Sequence, residues 1–349
     1  MSIEYTNLSL ERLDDVKGLM LPIWERRWGE DFARAFFRWR FFERPLWDAA
    51  LAYDGTCLVA FLDSFIRRCR VGTQIIPIRQ TADWFCHPDY RPVVGIKIMR
   101  MMMDKPEPML VVGGNKNTQN VLPRLRWHSL PDVPRFVLPT GSGVMFKGLS
   151  RLLRIPTSAF PSALGRLPSF RVFGGRRGAA PNGTGSVFRL RDSESLPEIA
   201  PPPDSCALGA VLDREEVDWL NKAPDAMGDF VWLVFSIDGS PMGLSLSRVY
   251  EEKPFRTAKL LHLQATDPSA AAYDWMIKET AAFLAECGAQ WITAQFGDPL
   301  VLQALEKTGY RKKRDDQKAF WWNHGQKPPN GPYHLTWVCG DESVMPFPD

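Results

Sequence analysis

Residues 83–91 read Asp83-Trp84-Phe85-Cys86-His87-Pro88-Asp89-Tyr90-Arg91, and an apolar stretch with helical spacing follows. Then come Val111-Val112-Gly113-Gly114-Asn115 and a closing segment that ends Arg124-Leu125-Arg126-Trp127. The order this predicts is strand, turn, helix, strand, short loop, helix. A strand that runs into a Pro- and Arg-bearing turn and then into a helix leaves free backbone N–H groups at the helix start. Such groups suit an anion.

Upstream, the pattern predicts an antiparallel meander. Residues 2–10 alternate as a first strand, and residues 13–42 have helical spacing with aromatics at Trp24, Trp28, Phe32, Phe36, Phe37, Trp39, Phe41 and Phe42. Those rings serve either as helix-packing core or as the floor of an acceptor pocket. Pro45 ends the pattern. Residues 47–53 and 57–66 read as strands joined by an Asp54-Gly55-Thr56 turn, and residues 74–86 hold the next strand.

Downstream, the chain changes character. Between Asp132 and Asp192 there is no acidic residue, while Arg135, Lys147, Arg151, Arg154, Arg166, Arg171, Arg176, Arg177, Arg189 and Arg191 supply ten positive charges. Gly, Pro and Ser punctuate this connector, with a helix expected at residues 146–153. Its charge suits either an anionic ligand or an acidic face of the same protein. A second unit repeats the order of the first: a helix at 213–222, strands at 230–237 and 242–250 joined by Asp238-Gly239-Ser240, and a strand at 257–265. A helix at 269–287, a strand at 291–295, a helix at 299–308 and a strand at 318–322 complete it. Leu122-Pro123-Arg124-Leu125-Arg126-Trp127 stands beside Leu305-Glu306-Lys307-Thr308-Gly309-Tyr310, which favours an internal duplication. The expected domains are residues 1–135, a connector at 136–202, a second domain at 203–330, and a tail at 331–349 in which residues 333–337 have strand spacing.

Composition sets the outer limits. The 349 residues are 45% apolar, with 13 Trp and 21 Phe, which describes a globular chain with a sizeable core. A net charge of +3 gives no reason to expect nucleic acid. The six cysteines (57, 69, 86, 206, 287, 339) form no close pair and no ligand-like spacing, so neither a disulfide scaffold nor a metal site is expected. No run approaches the ~18 apolar residues of a membrane span. The first residues, with Glu4 and Glu11, lack the signal-peptide pattern, and a cytoplasmic protein is expected.

His87-Pro88-Asp89-Tyr90-Arg91 followed by Gly95-Ile96 resembles the acyl-CoA pyrophosphate loop of the GCN5-related N-acetyltransferases. Gly114-Asn115, the helix over 119–126, and Trp127 where that family usually has a Gly-Phe ending extend the resemblance. It covers about residues 3–130 and, more weakly, 205–325. It implies two such domains of mixed α/β class, each a mostly antiparallel mixed sheet splayed between two central strands and flanked by helices. It also implies acetyl-CoA or another acyl-CoA as donor, with the pantetheine pairing to one splayed edge. The family pattern is Arg or Gln, two residues, Gly, one residue, Gly or Ala; here Arg91-Pro92-Val93-Val94-Gly95-Ile96-Lys97 has one extra residue and a lysine at the last small position. Lys97 would either obstruct the pyrophosphate or neutralise it. In the second unit, Thr266-Asp267-Pro268-Ser269-Ala270-Ala271-Ala272 has no arginine or glycine in the expected place, and Asp267 would repel phosphates. The second unit is therefore expected to be a degenerate copy.

Acyl transfer from a thioester to an amine needs a group that removes the amine proton and one that protonates the departing thiolate. The resemblance implies an acidic base on the strand before the loop. Asp83 lies there, on the same face as Phe85 and His87 if the alternation holds. His87 is a turn residue with a possible proton-transfer role. Phe85, Cys86, Arg91, Val94, Gly95, Ile96, Lys97 and Asn115 are the expected cofactor contacts, and Cys86 is expected as an inert thiol rather than a nucleophile. Residues 117–127 hold no tyrosine, so the family's usual acid is missing. The main expectation is an acyl-CoA-dependent N-acyltransferase acting on a small-molecule amine or sugar. The rivals are a non-catalytic acyltransferase-like binding protein and a transferase that takes its donor from tRNA.

Overall fold

The fold is a computed structural model that describes residues 2–43, 47–91, 93–141, 178–181, 183–191, 193–197, 206–252 and 255–340. The connector cations Lys147, Arg151, Arg154, Arg166, Arg171, Arg176 and Arg177, and the helix expected at 146–153, lie outside the described residues.

Two sheets organise the chain. The first begins with β1 (Ile3–Asn7), β2 (Trp47–Asp54), β3 (Cys57–Val71), β4 (Gln74–Cys86) and β5 (Met109–Val112). Glycines at +60° in φ, Gly55 and Gly72, turn β2 into β3 and β3 into β4, as tight hairpins require. Between β1 and β2 run α1 (Leu13–Trp28) and α2 (Glu30–Phe42), parted at Gly29 with φ +88°. After β4 come α3 (Val93–Met103), β5, α4 (Lys116–Arg124), β6 (His128–Val133) and β7 (Arg135–Pro139).

The second sheet begins with β8 (Gly185–Leu190). Then follow β9 (Leu208–Ala210), which joins the first sheet at the end of β3, and α5 (Arg214–Asn221). β10 (Asp229–Ile237), β11 (Ser240–Glu252) and β12 (Phe255–Ala265) form a meander turned by Asp238 and Gly239, both at positive φ. α6 (Ala270–Glu286), β13 (Trp291–Gln295), α7 (Pro299–Thr308), β14 (Arg311–Lys312), β15 (Gln317–Trp322) and β16 (Tyr333–His334) complete the chain.

The two sheets exchange strands. The first sheet runs β1-β2-β3-β4-β5-β15-β6, with β15 from the far end of the chain paired antiparallel between β5 and β6. The second runs β14-β7-β13-β12-β11-β10-β8, with β7 from the first half paired between β13 and β14. Each half therefore completes the other's sheet.

Three apolar clusters set the layers. α3 and α4 cover one face of the first sheet through Val94, Ile98, Met99, Met102 and Leu122. α6 and α7 cover one face of the second through Trp275, Met276, Val301 and Leu305. Between the sheets lies a common core of α1, α2, α5 and the turn at 337–339, in which Trp24, Phe36, Phe37, Trp39, Phe41, Trp219 and Trp337 are buried. The aromatics from Trp24 to Phe41 are thus in or against the core, whereas Phe42, expected with them, is 57% exposed.

β3 extends past the expected residue 66, through Arg67-Arg68-Cys69-Arg70. That charged run suggests a strand end, yet Arg67 is buried with acceptors in place: Gln80 Oε1 at 2.9 Å, Glu216 and the Val338 carbonyl. With both terminal nitrogens bonded, a charged residue can continue a buried strand.

Candidate acyl-donor cleft and its carboxylates

β4 and β5 are parallel neighbours only at Arg79↔Met109 and Gln80↔Leu110. β5 is then drawn away: Gly113 donates its N–H to the Lys318 carbonyl at 2.8 Å, and Gly113 and Gly114, at φ +99° and +83°, turn the chain into α4. Among the described residues, β4 from Thr81 to Cys86 has no strand neighbour on that side. Six residues make an open edge of about 20 Å. Backbone groups on such an edge accept an extended ligand as a strand would.

The open edge carries a bulge. Phe61 pairs with Phe85, but Asp63 pairs with Ala82, so Asp83 and Trp84 of β4 stand opposite the single residue Leu62 of β3, a bulge of one extra residue. Asp83 has φ +39°, a conformation few residues other than glycine adopt. Its side chain turns to α2, where Oδ2 lies 2.9 Å from Arg40 Nη2. Arg40, fully buried, also bonds Asp63 Oδ2 through Nη2 at 3.0 Å and Nε at 3.2 Å, and the Trp47 indole donates to Asp63 Oδ1. Phe85 packs into the same central core, whereas Trp84 and Cys86 face α3.

At the end of β4, His87 Nδ1 accepts from the Asp89 N–H at 3.4 Å and caps a short 3-10 turn over Pro88–Tyr90. The ring is half-exposed. Tyr90 donates to Asp54 Oδ2 at 2.7 Å, and Arg91 Nε donates to the Cys86 carbonyl at 2.8 Å, which pins the turn onto the strand. α3 starts two residues later. Its first four N–H groups, Val93 to Ile96, precede any intrahelical acceptor. Val93 is 70% exposed, Val94 and Gly95 are buried, and Ile96 is half-buried. Burial pushes the Cys86 thiol up, against the pull of the Gly95 N–H and the Arg91 charge. Such a thiol is a poor nucleophile. Lys97, in the second turn of α3, lies over the Tyr5 ring of β1 at 3.9 Å.

Across the open cleft, Asn115 caps α4: its Oδ1 accepts the Thr118 N–H at 3.0 Å, and its amide nitrogen stays at the surface. Asp83, Phe85, Cys86, His87, Arg91 and the start of α3 thus follow one another along a single strand and turn, while Asn115 stands across the gap.

The second sheet splays at the matching place, because β12 and β13 pair only from Ala258↔Ile292 to Leu260↔Ala294, and β12 bulges at Leu261. Here the protein's own tail lies against the opening. Gly297 N–H donates to the Leu335 carbonyl at 2.8 Å, and Thr336 bridges to Phe296. Thr336 Oγ1 lies 3.3 Å from His262 Nδ1, and His334 Nδ1 lies 3.0 Å from Asp298 Oδ2. Ser269 Oγ accepts the Ala272 N–H, capping the helix that follows β12.

Arg40, Asp63 and Trp47 escaped the sequence reading. The available signal was an arginine inside the aromatic stripe Phe36-Phe37-Arg38-Trp39-Arg40-Phe41, and an aspartate inside the apolar strand Phe61-Leu62-Asp63-Ser64-Phe65. Charges at core-facing positions are retained only with partners. Among the described residues, no group of three or more His, Cys, Asp or Glu side chains is disposed to hold a metal ion.

No family model and no curated protein matches the sequence. Solved structures do match in shape. A GCN5-related N-acetyltransferase from Anabaena variabilis superposes with TM-score 0.58 at 12% identity, covering 92% of this chain and 72% of its own. A probable N-acyltransferase of unknown function from Enterococcus faecalis gives 0.57 at 10%, covering 91% and 72%. Saccharomyces cerevisiae N-myristoyltransferase with bound myristoyl-CoA gives 0.57 at 14%, covering 97% and 83%.

The chain has the GNAT fold. The likeness extends over both mixed sheets and the helices that flank them.

Proposed function

We propose that the protein transfers an acyl group from acetyl-CoA or another acyl-CoA to an amine of a small molecule or sugar, with the first sheet holding the donor. The observation that carries this reading is the open edge of β4, which leads without interruption into the exposed start of α3. The residues fit the donor. Backbone groups of Phe85 and Cys86 pair with the pantetheine arm, and the N–H groups of Val94, Gly95 and Ile96 meet the pyrophosphate. Arg91 and, from the flank, Lys97 supply positive charge. Asn115, its oxygen engaged in the cap, offers its amide N–H groups to the arm.

The amine nitrogen bonds to the thioester carbonyl carbon as the carbon–sulfur bond breaks, and the sulfur leaves as thiolate. Asp83 takes the amine proton and gives it up to solvent, with His87 at the cleft end a second candidate for that acceptance; water protonates the thiolate. The second unit is a degenerate copy in this reading, supported by the tail that lies against its splay and by the acidic Asp267 before α6.

Calorimetric titration with CoA, acetyl-CoA and myristoyl-CoA tests the donor. One site per chain is expected, abolished by Gly95→Trp. Absence of binding by all three ligands removes the reading, and two sites per chain removes the degenerate copy. Thiol release from the bound thioester with a panel of amines then compares wild type with Asp83→Asn. Equal rates would take the proton-accepting role away from Asp83.

A further inference from the structure

Two carboxylates share one buried guanidinium beside the open edge, and they share it unequally. Asp63 takes two contacts from the Arg40 fork, at 3.0 and 3.2 Å, and the Trp47 indole besides; its side chain is 1% exposed. Asp83 has one contact, 2.9 Å from Arg40 Nη2, and its Oδ2 receives no aligned hydrogen bond. That contact is electrostatic, because the distance is short but no N–H points along it. The Asp83 side chain is 10% exposed, so it is the more accessible of the two.

The backbone adds a second observation. Asp83 sits at φ +39° in the bulge, and strain of this kind persists only where surrounding contacts enforce it. The Arg40 charge provides that enforcement from α2. Phe36 and Phe41, each with its ring centre 5.8 Å from the guanidinium carbon, flank the buried Arg40, so its charge is screened less by water than a surface charge would be.

We infer that Arg40 is a positioning residue that fixes Asp83 in the bulge, and that Asp63 sets how much of the Arg40 charge Asp83 receives. The chemical consequence rests on the acyl-transfer reading. A carboxylate gripped by both arms of an arginine fork is a weak proton acceptor, because its charged form is favoured. Asp63 occupies the fork; Asp83 Oδ2 is buried against Arg40, and Asp83 Oδ1 is left to take the amine proton. Among the described residues, Arg40 of α2 lies against Asp83, with Asp63 of β3 on the same guanidinium and the Trp47 indole of β2 on Asp63.

The test follows the Asp83 side-chain carboxyl by carbon NMR in protein labelled with 13C-aspartate, the resonance being assigned by its loss in Asp83→Asn. In Asp63→Asn the Arg40 charge is no longer shared with Asp63, and the Asp83 titration midpoint is expected to move down. In Trp47→Phe the Asp63 carboxylate loses a donor and draws harder on Arg40, so the Asp83 midpoint is expected to move up. The second variant keeps the test open if the first fails to fold. An unchanged Asp83 midpoint in the folded variants overturns the charge sharing. Binding of CoA, acetyl-CoA and myristoyl-CoA is measured on the same samples by calorimetry. Wild type that binds none of CoA, acetyl-CoA and myristoyl-CoA overturns the acyl-transfer reading, while the titration still decides whether Arg40 and Asp63 control Asp83.

Discussion

The indole rings of Trp39 and Trp219 lie 4.3 Å apart and 2° from parallel, and each donates its N–H to the other's backbone carbonyl, at 2.8 and 3.2 Å. Trp39 belongs to α2 and Trp219 to α5, so this reciprocal clasp joins helices from opposite halves of the chain. It sits in the core that both sheets share. Strand exchange makes the same connection at the sheets' edges, where Val112 pairs with Ala319 and Phe136 with Ala294. Each half's sheet contains a strand of the other, and the central core is built from both.

Trp219→Ala is therefore expected to act on the whole molecule. Removing a fully buried indole leaves a cavity and orphans the Trp39 carbonyl, a loss of about 3–5 kcal/mol. Calorimetry should show one cooperative transition at lower temperature. Two separated transitions would mean that the halves unfold independently, against the interlocked core.

Local chemistry in the sequence was enough for the hairpins: Asp54-Gly55 and Asp238-Gly239 stand where the turns are, with Gly55, Asp238 and Gly239 at positive φ. β7 was missed altogether, its residues being read as the start of the connector, and the destination of β15 was not legible, because alternation identifies a strand but not the strand beside it. The site divides the same way. His87 to Arg91 announced a turn into a helix, whereas the Asp83 bulge depends on a register between β3 and β4 that no local pattern encodes. The Arg40 ion pair depends on α2 packing over that bulge.

Arg126 offers a test of the likeness between the halves. It stands at φ +67° after α4, and Gly309 stands at φ +97° after α7. The N–H groups of Trp127 and Tyr310 return to the Leu122 and Leu305 carbonyls, at 3.2 and 3.0 Å, in the same helix-ending turn. A left-handed conformation costs a non-glycine residue about 1–2 kcal/mol, partly offset by the extra unfolded-state freedom of glycine. Arg126→Gly is expected to stabilise the protein by about 0.5–1 kcal/mol, and Gly309→Ala to destabilise it by about 1 kcal/mol. Urea midpoints of the two variants, moving in opposite directions, check this.

Gly95 separates folding from donor binding. A Cβ added there meets Cys86 Cβ and Trp84 Nε1, each at 3.6 Å, which is ordinary contact. Within a helix, alanine is favoured over glycine by about 0.5–1 kcal/mol, so Gly95→Ala is expected to raise the melting temperature. A methyl group at the helix start would also hold an anion back from the N–H groups, and acetyl-CoA affinity is expected to fall about tenfold. A variant that is both more stable and equally tight in binding would move the pyrophosphate away from this helix.

His262 governs the acid side of stability. It is fully buried in β12, with Nδ1 near Thr336 Oγ1 and Nε2 3.4 Å from Gln264 Oε1, and burial above all, with the His334 charge, pushes its pKa down to about 3. The unfolded chain takes up a proton here at about pH 6.5, while the folded chain stays neutral until far lower pH. Between these values the unfolded state binds more protons, so stability rises with pH and falls on acidification. One such group contributes a slope of at most about 1.4 kcal/mol per pH unit. Asp298 adds to the same trend: burial raises its pKa, but the His334 hydrogen bond and charge outweigh this, and its carboxyl is held below the usual range. Its stabilising effect is present above its unfolded pKa and lost as pH falls through the folded one. His262→Gln, which keeps a polar side chain but cannot titrate, is expected to flatten the urea-midpoint profile from pH 6.5 down to pH 4 relative to wild type. Because His262 touches the tail at Thr336, limited proteolysis of wild type in that range should first release residues 333–340, and the variant should resist it. Parallel profiles for the two proteins would mean that the buried imidazole carries none of the acid sensitivity.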